Sequence, residues 1–222
     1  MQKFATTGPI TTVLNIPVGR ITITATEQTE ATLDIQPTNP NKSRDTKAVE
    51  QCTVDYTDGV LTIENPVKNQ YFGTTGSLDV TLTLPAHSHI QATSGGAELR
   101  TKGPLGNVTF NGAHGIVTID ETDTLHLTVH AADVTVNRLT GASDIRVAKG
   151  DITITEATHG TLTLRTEAGT ITVGTTPATS ATLDAATTYG RINNSLTNTQ
   201  GANPHLRIHA TTNYGDINAR TN

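Results

Sequence analysis

Hydrophobic and polar residues alternate along almost the whole chain. Period-two alternation marks a strand with one face in the core and one in water. The first third has six such runs: Thr11–Ile16, Arg20–Ala25, Ala31–Gln36, Cys52–Tyr56, Val60–Glu64 and Leu78–Leu84. Thr57-Asp58-Gly59 between two of them predicts a hairpin, because Asp and Gly tolerate the positive φ of a tight turn. Pro37-Thr38-Asn39-Pro40-Asn41 reads as a loop. Ser43–Gln51 reads as a short helix with Ser43 as its N-cap.

From about residue 86 the alternation becomes a repeat: a small turn residue, one variable residue, then apolar-x-apolar. Gly150-Asp151-Ile152-Thr153-Ile154 and Gly169-Thr170-Ile171-Thr172-Val173 are the clearest copies. Looser ones include Gly106–Phe110, Gly160–Leu164, Ala132–Val136, Tyr189–Asn193 and Tyr214–Asn218. Strands recur about every 9 or 10 residues, and pairs of them make a unit of roughly 17–25 residues. One such unit cannot bury its own apolar face, so units must stack. Stacking predicts a continuous interior of Val108, Val117, Leu125, Val134, Ile145, Ile152, Leu162, Ile171, Leu183, Ile192, Leu206 and Ile217. Tyr189 and Tyr214 precede equivalent glycines and are expected to stack on one another. The pattern predicts an all-β fold: a β-solenoid (β-helix) over residues 86–222 with an N-terminal β-rich cap over 1–85, the two forming one continuous domain. An antiparallel meander folded into a barrel or sandwich fits the short period as well.

Composition supports strands over disorder. Only 34 % of residues are hydrophobic and 3 % aromatic, which on its own suits a disordered chain. Such chains lack β-branched residues, however, and this one is rich in Val, Ile and Thr, which favour a pleated surface. The net charge is −5, and Lys and Arg are scattered without the basic stripe that nucleic acid binding needs. Cys52 is the only cysteine, which excludes an intrachain disulfide and a multi-cysteine zinc site. No run of apolar residues is long enough to span a membrane. The N-terminal Met1–Thr7 has no apolar core of a signal peptide. The expectation is a cytoplasmic protein, secreted only if a leader has been removed.

The tail Leu206–Ile217, with its Asn213-Tyr214-Gly215-Asp216-Ile217, resembles the C-terminal signature of a bacterial family of β-strand-repeat proteins of unknown function. That family is often labelled "putative adhesin" and is related to toast-rack-type domains. Phe4-Ala5-Thr6, Val18–Ile23, Asp58-Gly59-Val60-Leu61 and Leu84-Pro85 resemble it too, so the likeness covers nearly the whole chain. It implies a single-stranded right-handed β-helix or similar solenoid and no established activity.

Candidate chemistry is sparse. The sequence holds no phosphate-binding loop, no Gly-x-Gly-x-x-Gly, no His-Glu-x-x-His and no Gly-x-Ser-x-Gly. His126 and His130 should both point outward, about 13 Å apart at about 3.3 Å per strand residue, too far for one metal. His205 and His209 share that spacing. His87 and His89 are close enough on one face to hold zinc with a third ligand, although solvated turn histidines fit better. Asp120, Glu121 and Asp123 form an acidic cluster that reads as an ordinary turn, since the calcium-binding Gly-rich repeat is missing. No catalytic residue, metal ligand or cofactor is therefore assigned.

Arg146, Arg165, Arg191 and Arg207 sit on separate repeats. Aligned on one face with carboxylates they would suit a carbohydrate-active enzyme; otherwise they are solubilising charges. The Thr-x-Thr pairs Thr22/Thr24, Thr81/Thr83, Thr153/Thr155, Thr161/Thr163 and Thr170/Thr172 suggest an ice-binding surface, but His126, Arg146, Asp184 and Arg207 interrupt it. Tyr71 and Phe72, two adjacent aromatics in the Asn65–Ser77 loop, are the candidate binding residues, because aromatics often anchor interfaces. The leading reading is a non-enzymatic scaffold or protein-interaction module, with self-association through the ends of the repeat. The alternative is an extracellular adhesin or glycan binder.

Overall fold

The threonine-rich alternation produces strands that pair with the next turn of chain rather than with their immediate neighbours. The computed structural model describes residues 1–66, 75–201 and 203–222. Its strands are β1 (Gln2–Ala5), β2 (Thr11–Asn15), β3 (Val18–Thr26), β4 (Glu30–Pro37), β5 (Thr53–Thr57), β6 (Val60–Glu64), β7 (Leu78–Pro85), β8 (His89–Ser94), β9 (Gly96–Lys102), β10 (Pro104–Leu139), β11 (Ser143–Lys149), β12 (Ile152–Ala157), β13 (Gly160–Ala168), β14 (Ile171–Thr175), β15 (Ala181–Tyr189), β16 (Ile192–Ser195), β17 (Leu206–Tyr214) and β18 (Ile217–Thr221). The one helix among the described residues is α1 (Ser43–Gln51).

All the strands belong to one hydrogen-bonded sheet, nearly closed around a single core. Each turn of the stack uses two strands. The first strands of successive turns pair in parallel: β2 with β8, β8 with the Val108–Gly112 part of β10, the Leu125–Ala131 part of β10 with β11, β11 with β13, and β13 with β17. The second strands follow the same rule, from β3–β9 to β12–β14 and β14–β18. Among the described residues, antiparallel pairing is confined to β1–β4, β4–β7 and β5–β6. The meander alternative fails on this point. The expected β5–β6 hairpin forms, with Asp58 and Gly59 both at positive φ.

The order in space departs from the order in sequence at both ends. The β2–β3 turn lies between the β6–β7 turn and the β8–β9 turn. The last turn of the chain, β17–β18, lies between β13–β14 and β15–β16. The outermost turn is therefore β15–β16. Of the twelve residues expected inside, ten are buried. Leu183 is half-buried and Ile192 is 45 % exposed, because no further turn among the described residues covers theirs. The opposite end is covered: β5 pairs along β6, β4 along β7, and α1 packs on β4 and β7.

Glycine corners let the turns approach closely. Gly150 has φ +139, and a Cβ there would lie 2.0 Å from the Ala132 carbonyl oxygen. The same contact recurs one turn on, where a Cβ at Gly169 would lie 2.0 Å from the Gly150 oxygen. Threonines satisfy these corner carbonyls. Thr166, Thr212 and Thr187 Oγ1 each donate at 3.0 Å to the carbonyls of Gly150, Gly169 and Gly215. Aspartates bridge the same corners: Asp133 accepts from the Asp151 amide, Asp151 from the Thr170 amide and Asp216 from the Arg191 amide.

The helix expectation needs one correction. Lys42, not Ser43, occupies the N-cap position, and no side chain caps the helix. Buried Asp45 in its first turn instead accepts from the amides of Asn39 and Ser77, tying two loops to the helix.

Candidate functional site

Parallel register fixes what the outer face presents, because residues abreast on neighbouring strands stand about 4.8 Å apart. Thr128, Arg146 and Arg165 are abreast on β10, β11 and β13. His126, Asp144 and Thr163 form the adjacent row. The two arginines thus share one face, which their sequence spacing left open. Arg207 stands abreast of Thr161 and Thr182 instead, and Arg191 precedes β16.

A cavity of about 350 Å³ lies over these strands, lined by Thr128, His130, Arg146, Arg165 and Glu167 among others. A second, of about 200 Å³, shares Thr128 and Arg146 with it and adds Thr109, Asn111, His126 and Asp144. A third, of about 310 Å³, shares Thr109 and His126 with the second and continues to His89, Gln91 and Asn107. Shared walls make them one groove of mixed lining, into which Thr, Asn, His, Arg, Asp and Glu side chains are brought together. It crosses β8, both turns of β10, β11 and β13, roughly 19 Å at the usual strand spacing.

The groove's charges are held in place. Asp144 accepts from Arg146 Nε at 3.0 Å and Nη2 at 2.9 Å, and this bonding pushes the guanidinium's pKa up. Three of the five guanidinium N–H donors remain uncommitted to Asp144. Arg165 has no hydrogen bond or ion pair among the described residues. His130 packs edge-on against His114, with ring centroids 6.3 Å apart. The strands beneath contribute no main-chain groups, since β11 and β13 are each paired on both sides.

Other candidates resolve into structural roles. His89 Nδ1 accepts from the Asn107 amide at 2.9 Å, and His87, at φ +61, faces Asp123. The two do not converge, and no group of metal-binding side chains occurs among the described residues. Asp120 is no turn residue. It lies in β10 and accepts from the Gly103 amide and from Asn137, and these bonds, the Gly103 one first, hold its pKa below the usual aspartate value. Asp123 accepts from Thr140 in the next turn. The threonine array is broken in register: Thr22 and Thr24 face Thr81 and Thr83 on one side but Arg100 and Lys102 on the other. Cys52 is half-buried, and burial pushes its thiol pKa up to about 11. Tyr71 and Phe72 lie outside the described residues. No helix among the described residues is long and apolar enough to cross a membrane.

Sequence reasoning did not find the groove. Arg146 and Arg165 fall at the same offset from glycines Gly150 and Gly169, and aligning the repeats on those glycines would have paired them.

With this geometry in hand, comparison with known proteins places the chain. It belongs to the Toastrack DUF4097 family, whose model matches residues 76–219. No curated protein matches it. A solved structure from Bacteroides fragilis NCTC 9343, described as a "putative adhesin", is similar over 98 % of this chain and 95 % of that one, with a TM-score of 0.58 at 15 % identity. Another "putative adhesin", from Parabacteroides distasonis ATCC 8503, is 16 % identical over 99 % and 94 % of the two chains, with a TM-score of 0.48. A "putative lipid binding protein" from the same organism is 12 % identical over 98 % and 95 %, with a TM-score of 0.46. At such identity the Bacteroides likeness concerns the fold alone.

Proposed function

We propose that this member of the Toastrack DUF4097 family is a non-enzymatic interaction module that binds an extended partner along the groove over β8, β10, β11 and β13. The observation behind this reading is the in-register pair Arg146 and Arg165 in a continuous groove on a face whose strands are paired on both sides. Stacked turns give such a surface its length, as in other repeat proteins. The stack itself is read as a right-handed solenoid, supported by the strong right-handed preference of parallel crossover connections. Residues 1–85 and 86–222 are read as one continuous domain, since β2 and β3 pair with β8 and β9 across that division.

In the first reading the extended partner is a protein. An extracellular adhesin or glycan binder is the second reading, and the groove's hydroxyl, amide and carboxylate lining favours it. Self-association would use the β15–β16 end, where β15 pairs only with β17 and β16 only with β18 among the described residues.

The test is cross-linking in native extract with wild type and Thr128→Trp, which fills the centre of the groove without touching the core. Partners held by wild type and lost by Thr128→Trp are expected. An unchanged profile, or no partner for wild type, overturns the reading. A partner lost only on the Tyr71→Ala, Phe72→Ala double substitution moves the site to that segment.

A further inference from the structure

We infer that the groove takes an acidic oligosaccharide, a hydroxyl-rich chain bearing carboxylates. The inference rests on the groove being a binding surface, takes its second, glycan-binding reading, and names the ligand class. Three features of the lining carry it.

First, the main chain is closed to the ligand. β11 lies between β10 and β13, and β13 between β11 and β17, so their amides and carbonyls are spent on the ladder. A peptide cannot add as a further strand here, which is the usual way a sheet recognises an extended peptide. Recognition must come from outward side chains.

Second, those side chains alternate in chemistry. Arg165 and the free N–H groups of Arg146 offer charged donors to a carboxylate. Asp144 and Glu167 stand beside them in the groove walls and are acceptors. The side chains of an acidic peptide bring no donors to these carboxylates, whereas each unit of an acidic sugar brings hydroxyl donors beside its carboxylate. Carboxylates accept readily from sugar hydroxyls. Thr109, Asn111 and Thr128 add neutral donors and acceptors along the same path. A ligand carrying hydroxyls and carboxylates together matches this set; a pure polyanion or a neutral polymer matches half of it.

Third, none of the residues named along the groove is a Phe, Tyr or Trp. A neutral sugar would lack a ring to stack on, so charge must supply the binding energy. Binding is then salt-sensitive, as expected of exposed charges.

The test uses the intact chain and galacturonate oligomers, with binding followed by calorimetry at low and high salt. Wild type should bind, more weakly as salt rises. Arg165→Glu should weaken binding by roughly tenfold or more, the worth of one charge-assisted hydrogen bond. Arg191→Glu, which makes the same charge change outside the groove, should bind like wild type, and dextran should not bind. No binding of the oligomers, or equal binding by Arg165→Glu and wild type, overturns the inference. So does poly-glutamate binding as tightly as the oligomers, which would make the ligand an acidic peptide. If the oligomers fail while Thr128→Trp still loses a cross-linked partner, the ligand class falls and the interaction-module reading stands.

Discussion

Tyr189 and Tyr214 lie face to face, with ring centroids 5.0 Å apart and planes 7° from parallel. Each precedes the corner glycine of its own turn, and the two are abreast in the β15–β17 ladder. Both rings are more than half exposed, so the pair reports the order of turns at that end rather than the packing of the core. Replacing either ring by Ala should cost little area but lose the stacking. A double-mutant cycle by chemical denaturation should give a coupling of about 0.5–1.5 kcal/mol. Zero coupling would mean that the rings are not neighbours and that β17 is not inserted beside β15.

Corner glycines should be the least replaceable positions in the chain. Gly215 has φ +147, and a Cβ there would sit 2.0 Å from the Gly169 carbonyl oxygen, a backbone atom that also accepts from Thr212 Oγ1. Gly215→Ala should destabilise by at least about 2 kcal/mol, combining a disfavoured φ with the clash. Gly8 has nothing within 4 Å of its would-be Cβ, and Gly8→Ala should fall within about 0.5 kcal/mol of wild type. Melting temperatures of the two variants check the contrast.

Asp120 links stability to pH in a definite direction. Its folded pKa is lowered, chiefly by the Gly103 amide and then by Asn137. Such a carboxyl stabilises the fold where it is ionised, above its unfolded value. The gain is lost as pH falls from the ordinary value of 3.8 through the lower folded one. Asp120→Asn should therefore melt below wild type at neutral pH, and the two curves should converge in strong acid. A gap that persists unchanged in acid would show that the carboxylate's charge has no part in holding the turns.

The all-β class, the stacking and the residues of the core are legible from period-two alternation and the glycine-led repeat, because burial of one strand face dictates both. Order at the ends is not. Nothing in Ala181–Ser195 marks it as the outermost turn except a weaker apolar pattern, in which Asn194 stands where Val173 and Ala219 stand in the turns beneath. The roles of Thr166, Thr187 and Thr212 are also hidden, because threonine is so common that three before a glycine stand out only once the turns are superimposed. For the groove, the sequence carries the arginines but not their adjacency. That depends on the advance per turn, which sets Arg146 beside Arg165 and leaves Arg207 abreast of Thr161.

The proposed binding surface is the outer face of β10, β11 and β13. Amide chemical-shift mapping of the labelled chain, titrated with galacturonate oligomers, tests it most directly. Shifts are expected to concentrate at Thr128, His130, Asp144, Arg146, Arg165 and Glu167 and to fade toward β15 and β16. Shifts confined to the β15–β16 end or to residues 67–74, or no shifts at all, would contradict it.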